Sequence, residues 1–122
     1  MSGRPPITFH VLDTSHGVPA SGMRVEIEYN TSTDEKNLDF LPLGNTVTNE
    51  DGRGTGLLPE DMKVINPGIY RMIFHTMEYF DRFSTPSFYP KVEVVFKIVD
   101  PSQHYHIPLL LSPYGYSTYR GS

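Results

Sequence analysis

The stretch Met23-Arg24-Val25-Glu26-Ile27-Glu28-Tyr29 alternates apolar and polar residues without a break. Successive side chains of an extended chain point to opposite faces. Met23, Val25, Ile27 and Tyr29 therefore turn inward, and Arg24, Glu26 and Glu28 face water. Ile7 to Leu12 repeats the pattern, with Ile7, Phe9 and Val11 on one side and Thr8, His10 and Leu12 on the other. Eleven prolines and ten glycines cut the chain into short runs, which favours strands over helices. Further strands are expected within Asp34–Leu43, Ile69–His75, Lys91–Val99, His104–Leu111 and around Ser117–Tyr119. His16–Gly22 reads as a turn. Asp51-Gly52 is a strong hairpin signal, because glycine accepts φ > 0. Met77–Phe83 predicts one short helix, since Tyr79, Phe80 and Phe83 fall on helical spacing. Seven or eight short strands without alternating βα units give an all-β sandwich of two sheets, and a parallel sheet is not expected.

At 122 residues the chain is the size of one domain, read here as 1–122. Such a domain buries roughly two thirds of the surface its unfolded chain exposes, enough for a core without staples. With no cysteine there is no thiolate nucleophile and no Cys-based metal site. A net charge of -4 argues against nucleic-acid binding, which needs a basic stripe. No apolar run approaches the ~20 residues of a membrane span, and Met1–His10 lacks the apolar core of a secretory signal. The cytosol is the default compartment. A peroxisomal location stays open, with no clear address and no terminal Ser-Lys-Leu. The Asn30-Thr31-Ser32 sequon reads as chance.

Five histidines carry most of the chemical potential: His10, His16, His75, His104 and His106. His104 and His106 lie two apart on an expected strand and share one face. A strand histidine is ordinarily a satisfied, half-buried structural residue. His16, in a turn, and His75, at a strand end, are read that way. His104-x-His106, with His10 as a third ligand, is also the spacing of a zinc site. No Asp or Glu stands at ligand spacing, and Arg120 would repel a cation if it shared the site, so no metal is expected. Arg53 and Arg120 are either solvated cations or fixed charges that stabilise an anionic oxygen. No G-x-S-x-G elbow and no phosphate loop is present.

The terminal Tyr119-Arg120-Gly121-Ser122 resembles the signature of the transthyretin-like 5-hydroxyisourate hydrolases. So do His10-Val11-Leu12-Asp13 with Gly17-x-Pro19-Ala20, Thr48-Asn49-x-Asp51-Gly52-Arg53, Gly68-x-Tyr70-Arg71, and His104-Tyr105-His106-x-Pro108-Leu109-Leu110-Leu111-Ser112. These blocks stand in order and span almost the whole chain. The resemblance implies a prealbumin-like (transthyretin-type) sandwich of two four-stranded sheets with one short helix. It implies a homotetramer, a dimer of dimers, with the active site in a channel between dimers. It implies hydrolytic opening of 5-hydroxyisourate in urate catabolism, without a cofactor. It carries the catalytic set onto His10, Arg53, His106 and Ser122, with Tyr119, Arg120, Gly121 and His104 as substrate-binding neighbours.

Water is a weak nucleophile at neutral pH. Histidine, with an ordinary pKa of ~6.5, is mostly neutral there and suits a general base. The expected roles are His106 as base, His10 orienting water or substrate, and Ser122 relaying hydrogen bonds. Arg53 would hold the oxyanion, and Tyr119 would wall the planar substrate. The expectation places the chain end itself in the pocket. Two rivals stay open: a non-enzymatic carrier of a small planar aromatic ligand, as transthyretin is, and an interaction module with incidental histidines.

Overall fold

The computed structural model describes residues 5–62 and 64–121. Eight strands and one helix follow in the order β1 (Ile7–Asp13), β2 (Val18–Pro19), β3 (Arg24–Asn30), β4 (Phe40–Val47), β5 (Gly68–Phe74), α1 (Thr76–Asp81), β6 (Val92–Ile98), β7 (Tyr105–Ser112) and β8 (Gly115–Thr118). They form two four-stranded sheets, ordered β2-β1-β7-β8 and β4-β3-β5-β6.

The alternation read from the sequence decides which side chains meet between the sheets. In β1, Ile7, Phe9, Val11 and Asp13 are buried, and the residues between them are half-buried on the outer face. From the other sheet Val25, Ile27, Met72 and Phe74 meet them, each with essentially no exposed surface. Fully burying one such side chain contributes about 1.5–3 kcal/mol. Helix α1 closes one end of the sandwich with Tyr79 and Phe80, while Phe83 lies beyond it and is half exposed. The Tyr79 hydroxyl donates to the buried Asp13 carboxylate at 2.7 Å. Ser15 and His16 bond the same carboxylate through backbone and side chain. Burial pushes the Asp13 carboxyl up, but these hydrogen bonds outweigh it and hold it below its usual range. His16 is thus a turn-fixing residue, as expected.

Four local expectations need correction. The strand expected within Asp34–Leu43 begins only at Phe40 and runs on to Val47, as β4. The Asp34 carboxylate folds its own neighbours into a turn by accepting from Lys36 N and the Asn37 side chain. Asn30 Oδ1 likewise takes Ser32 N and Asp39 N, so that one backbone bond, Thr31 N to Asp39 O, precedes the ladder that starts at Phe40. The Asp51-Gly52 turn forms, with Gly52 at φ +74, but it joins no hairpin. Val11 N donates to Gly52 O at 2.8 Å, so the turn is docked on β1, and the next strand begins only at Gly68. The His16–Gly22 turn contains β2, which pairs with the end of β1. Finally, β1 and β7 pair in parallel through seven residues, so the first sheet is mixed.

A proline explains where the last strand ends. Pro108 sits inside β7, opposite the position that Tyr119 would take in the β7–β8 ladder. It has no N–H to give the Tyr119 carbonyl. The ladder lapses at Tyr119 and Arg120, and the chain rejoins β7 only at Gly121, which bridges His106. Thr118 closes the gap by donating its hydroxyl to Pro108 O at 2.7 Å.

Candidate active site

The parallel β1–β7 register builds the site. It sets Thr8 beside His106 and His10 beside Pro108. Because alternate residues of β1 and β7 share a face, Thr8 and His10 join His106 on the outer side of the mixed sheet. Their inward neighbours Phe9, Tyr105 and Ile107 are in the core. His104, one residue before β7, reaches the same cluster. Thr8 Oγ1 lies 3.0 Å from His104 Nε2 and 2.8 Å from His106 Nδ1. His104 Nδ1 lies 2.8 Å from the Pro5 carbonyl oxygen.

Arg53 arrives from the other sheet on the docked turn. Asn49 Oδ1 accepts from both Asp51 N and Arg53 N, and Asn49 N donates to Arg53 O at 2.6 Å. Gly52 is required here twice over. Its φ is positive, and a Cβ would stand 2.3 Å from Val11 O. With the turn pinned on Val11, the next residue lies beside His10.

Electrostatics keep the two imidazoles neutral. Burial lowers the proton affinity of His106, the Arg53 charge lowers it further, and so would a proton on His10 or His104. Burial and Arg53 also lower His10, against the opposing pull of the Asp51 carbonyl and carboxylate. Among the described residues no three His, Asp or Glu side chains are arranged so that they could hold a metal ion. The arrangement thus offers neutral imidazoles able to take a proton, beside a cation able to hold an oxyanion.

Of the residues expected from the sequence, the structure brings together His10, His104, His106 and Arg53. Gly121 joins them by its backbone: its N–H donates to His106 O at 2.7 Å, and a Cβ there would lie 3.0 Å from His106 Cδ2. Arg120 does not join. Its guanidinium donates to Gln103 and lies 4.6 Å over the Tyr105 ring. Tyr119 is 61% exposed and, with Arg120, Tyr105, Ile107 and Phe96, lines a separate cavity of about 340 Å³ between the sheets. Ser122 lies outside the described residues. Alternation puts Thr8 on the His10 face and assigns it no role. Only the parallel pairing, which alternation cannot reveal, sets its hydroxyl between two imidazoles.

Fold and face together define a transthyretin-type sandwich with an acid–base cluster on one outer sheet. The profile of the HIUase/Transthyretin family matches residues 7–121, and the chain belongs to that family. It is 46% identical to a probable 5-hydroxyisourate hydrolase of Caenorhabditis elegans, over 95% of this chain and 81% of that one. It is 44% identical to the 5-hydroxyisourate hydrolase of Mus musculus, over 96% and 95% of the two chains. It also superposes on sea bream transthyretin in complex with thyroxine with a TM-score of 0.83, at 27% identity, over 95% and 94%.

Proposed function

We propose that this chain hydrolyses 5-hydroxyisourate to 2-oxo-4-hydroxy-4-carboxy-5-ureidoimidazoline, in the degradation of urate. The observation that carries the reading is the cluster of His10, His106 and Arg53, with both imidazoles held neutral beside a fixed cation. Its near full-length relatives named as hydrolases of this substrate support it.

The chemistry follows from the groups present. His106 takes a proton from water as the water oxygen bonds to the ring carbonyl carbon. The carbonyl electrons move onto oxygen, and Arg53 stabilises that charge. The C–N bond then breaks, and the leaving nitrogen takes the proton from the His106 imidazolium. His10 orients the water or the substrate. Ser122 relays hydrogen bonds, and Tyr119 and Arg120 contribute when the site is complete. No cofactor enters this scheme.

The working form is a homotetramer with this face lining a channel. Strands β6 and β8 end their sheets with unpaired backbone and carry exposed Val95 and Tyr116, with Phe88 and Tyr114 close by. Such edges invite pairing with a second copy. Light scattering coupled to size exclusion tests this; a monomeric mass sinks it.

The likeness to sea bream transthyretin in complex with thyroxine favours one second reading, a carrier of a planar aromatic ligand. One assay separates the two. 5-Hydroxyisourate is generated from urate in situ, and its ultraviolet decay is followed with and without the protein. Acceleration over the spontaneous rate is expected. Unchanged decay together with tight binding of an aromatic ligand would establish the carrier.

A further inference from the structure

Among the described residues the Thr8 hydroxyl is the one side-chain group hydrogen-bonded to both His104 and His106, and its hydrogen-bond directions are not free. The Pro5 carbonyl oxygen can only accept, so the proton between it and His104 belongs to Nδ1. A neutral imidazole carries one N–H, so His104 Nε2 is then a bare acceptor. The Thr8 hydroxyl must donate to it, having one proton to give. What Thr8 can offer His106 is an oxygen lone pair, and His106 Nδ1 must donate to that. Reversing the chain would need a second proton on His104.

We infer that Thr8 is a positioning residue: through its bridge to His104 and His106 it holds His106 as the Nδ1–H tautomer and keeps Nε2 as the bare nitrogen of the base. The inference rests on the reading of His106 as general base. The ring is held by Thr8 at Nδ1, and the His106 backbone is hydrogen-bonded to Gly121, which runs so close that a Cβ there would stand 3.0 Å from Cδ2. Nε2 is left on the open edge. In the other tautomer the basic nitrogen would face Thr8 and could not reach a water on the outer face.

The test is spectroscopic first. Two-bond ¹⁵N–¹H correlation spectra of the uniformly labelled full chain at pH 8 report each histidine's tautomer, with His106 assigned by a substituted variant. The wild type should show His106 as Nδ1–H. Thr8→Val, which keeps the shape and removes the hydroxyl, should shift it to Nε2–H, the form an unrestrained imidazole side chain favours in water. kcat should fall by about 10- to 100-fold, less than the ~10²–10⁴-fold contribution of a general base. Thr8→Ser should restore both tautomer and rate. A wild-type His106 found as Nε2–H would overturn the inference without any variant, as would an unchanged tautomer in Thr8→Val. A tautomer that flips while kcat holds would support the bridge and overturn the reading of His106 as base. The spectrum needs no substrate, so failure to hydrolyse 5-hydroxyisourate leaves it decisive for Thr8.

Discussion

The two sheets turn very different outer faces to their surroundings. On β4-β3-β5-β6 almost every charge has its opposite: Arg24 with Glu78, Arg71 with Glu28 and Glu93, Lys91 with Glu93, and His75 with Glu26. On β2-β1-β7-β8 the polar groups are imidazoles, a threonine and an incoming guanidinium. Among the described residues His106 has no carboxylate for a neighbour; its surroundings there are Thr8, His10, His104 and Arg53. A carboxylate beside a histidine favours the imidazolium and ties up an N–H. Cations and burial favour the neutral ring with a nitrogen to spare. Placement on an outer face is common to both histidines, and the company each keeps separates scaffold from chemistry.

The largest test of that contrast deletes the base. His106→Ala should lower kcat by about 10²–10⁴-fold. Far-ultraviolet circular dichroism should stay that of the wild type, because His106 faces outward and is only half-buried. Wild-type turnover would remove His106 from the mechanism, and loss of the fold would make it scaffold like His75. Arg53→Ala comes next, with a cost of about 10²–10³ if the guanidinium holds the oxyanion. It should also move the acid limb of the pH–rate profile to higher pH, because the Arg53 charge lowers both His10 and His106. A rate that falls with no movement of the limb would break the electrostatic half of the argument.

A third test makes one face imitate the other. In the wild type, kcat/KM should fall with decreasing pH along a limb below the ordinary imidazole value of 6.5, since His106 and His10 are both lowered. Above that limb the base is already neutral and the rate is flat. Thr8→Asp gives His106 the carboxylate partner that His75 has. A carboxylate next to an imidazole should raise the limb by about 1–3 units. The variant should therefore lose most of its activity near pH 6 and recover it in alkaline buffer. An unmoved limb would mean that a neighbouring carboxylate is not what distinguishes the two faces.

Much of this was legible in the sequence, because alternation is a local property. Met23–Tyr29 and Ile7–Leu12 name their own inward faces, and the structure agrees with them. The histidine and arginine set was legible through its resemblance to a family. What alternation cannot report is which strands are neighbours. The parallel pairing of β1 with β7 is a tertiary fact, and without it Thr8 is one more strand threonine. The Asp51-Gly52 turn was visible, but its docking on Val11, which delivers Arg53 to His10, depends on a backbone contact some forty residues away. The place of Arg120 in a terminal motif does not say where its side chain goes either: past the gap that Pro108 opens, it turns to Gln103 and Tyr105.

The smallest expected effect concerns His75. Its Nε2 lies 2.5 Å from Glu26 Oε2, and its backbone N–H bonds Arg24 O where β5 passes into α1. The backbone bond survives His75→Ala, so the strand-to-helix junction should hold. Glu26 keeps access to water with its side chain 37% exposed, so it is not stranded as a buried charge when its partner goes. The loss is then that of one partly exposed pair, about 1 kcal/mol, which for a domain of this size lowers the melting temperature by roughly 4 °C. Turnover of 5-hydroxyisourate should be that of the wild type across the whole pH range, because His75 belongs to the opposite sheet from His10 and His106. The measurement is a thermal melt beside the absorbance assay, run together with His106→Ala. The two variants should trade places: a lower melting point with full activity for His75→Ala, and a stable, inactive protein for His106→Ala. If His75→Ala also slowed turnover at temperatures well below its melt, the paired face would be coupled to the chemistry, and a histidine's immediate partners would no longer be enough to tell its role.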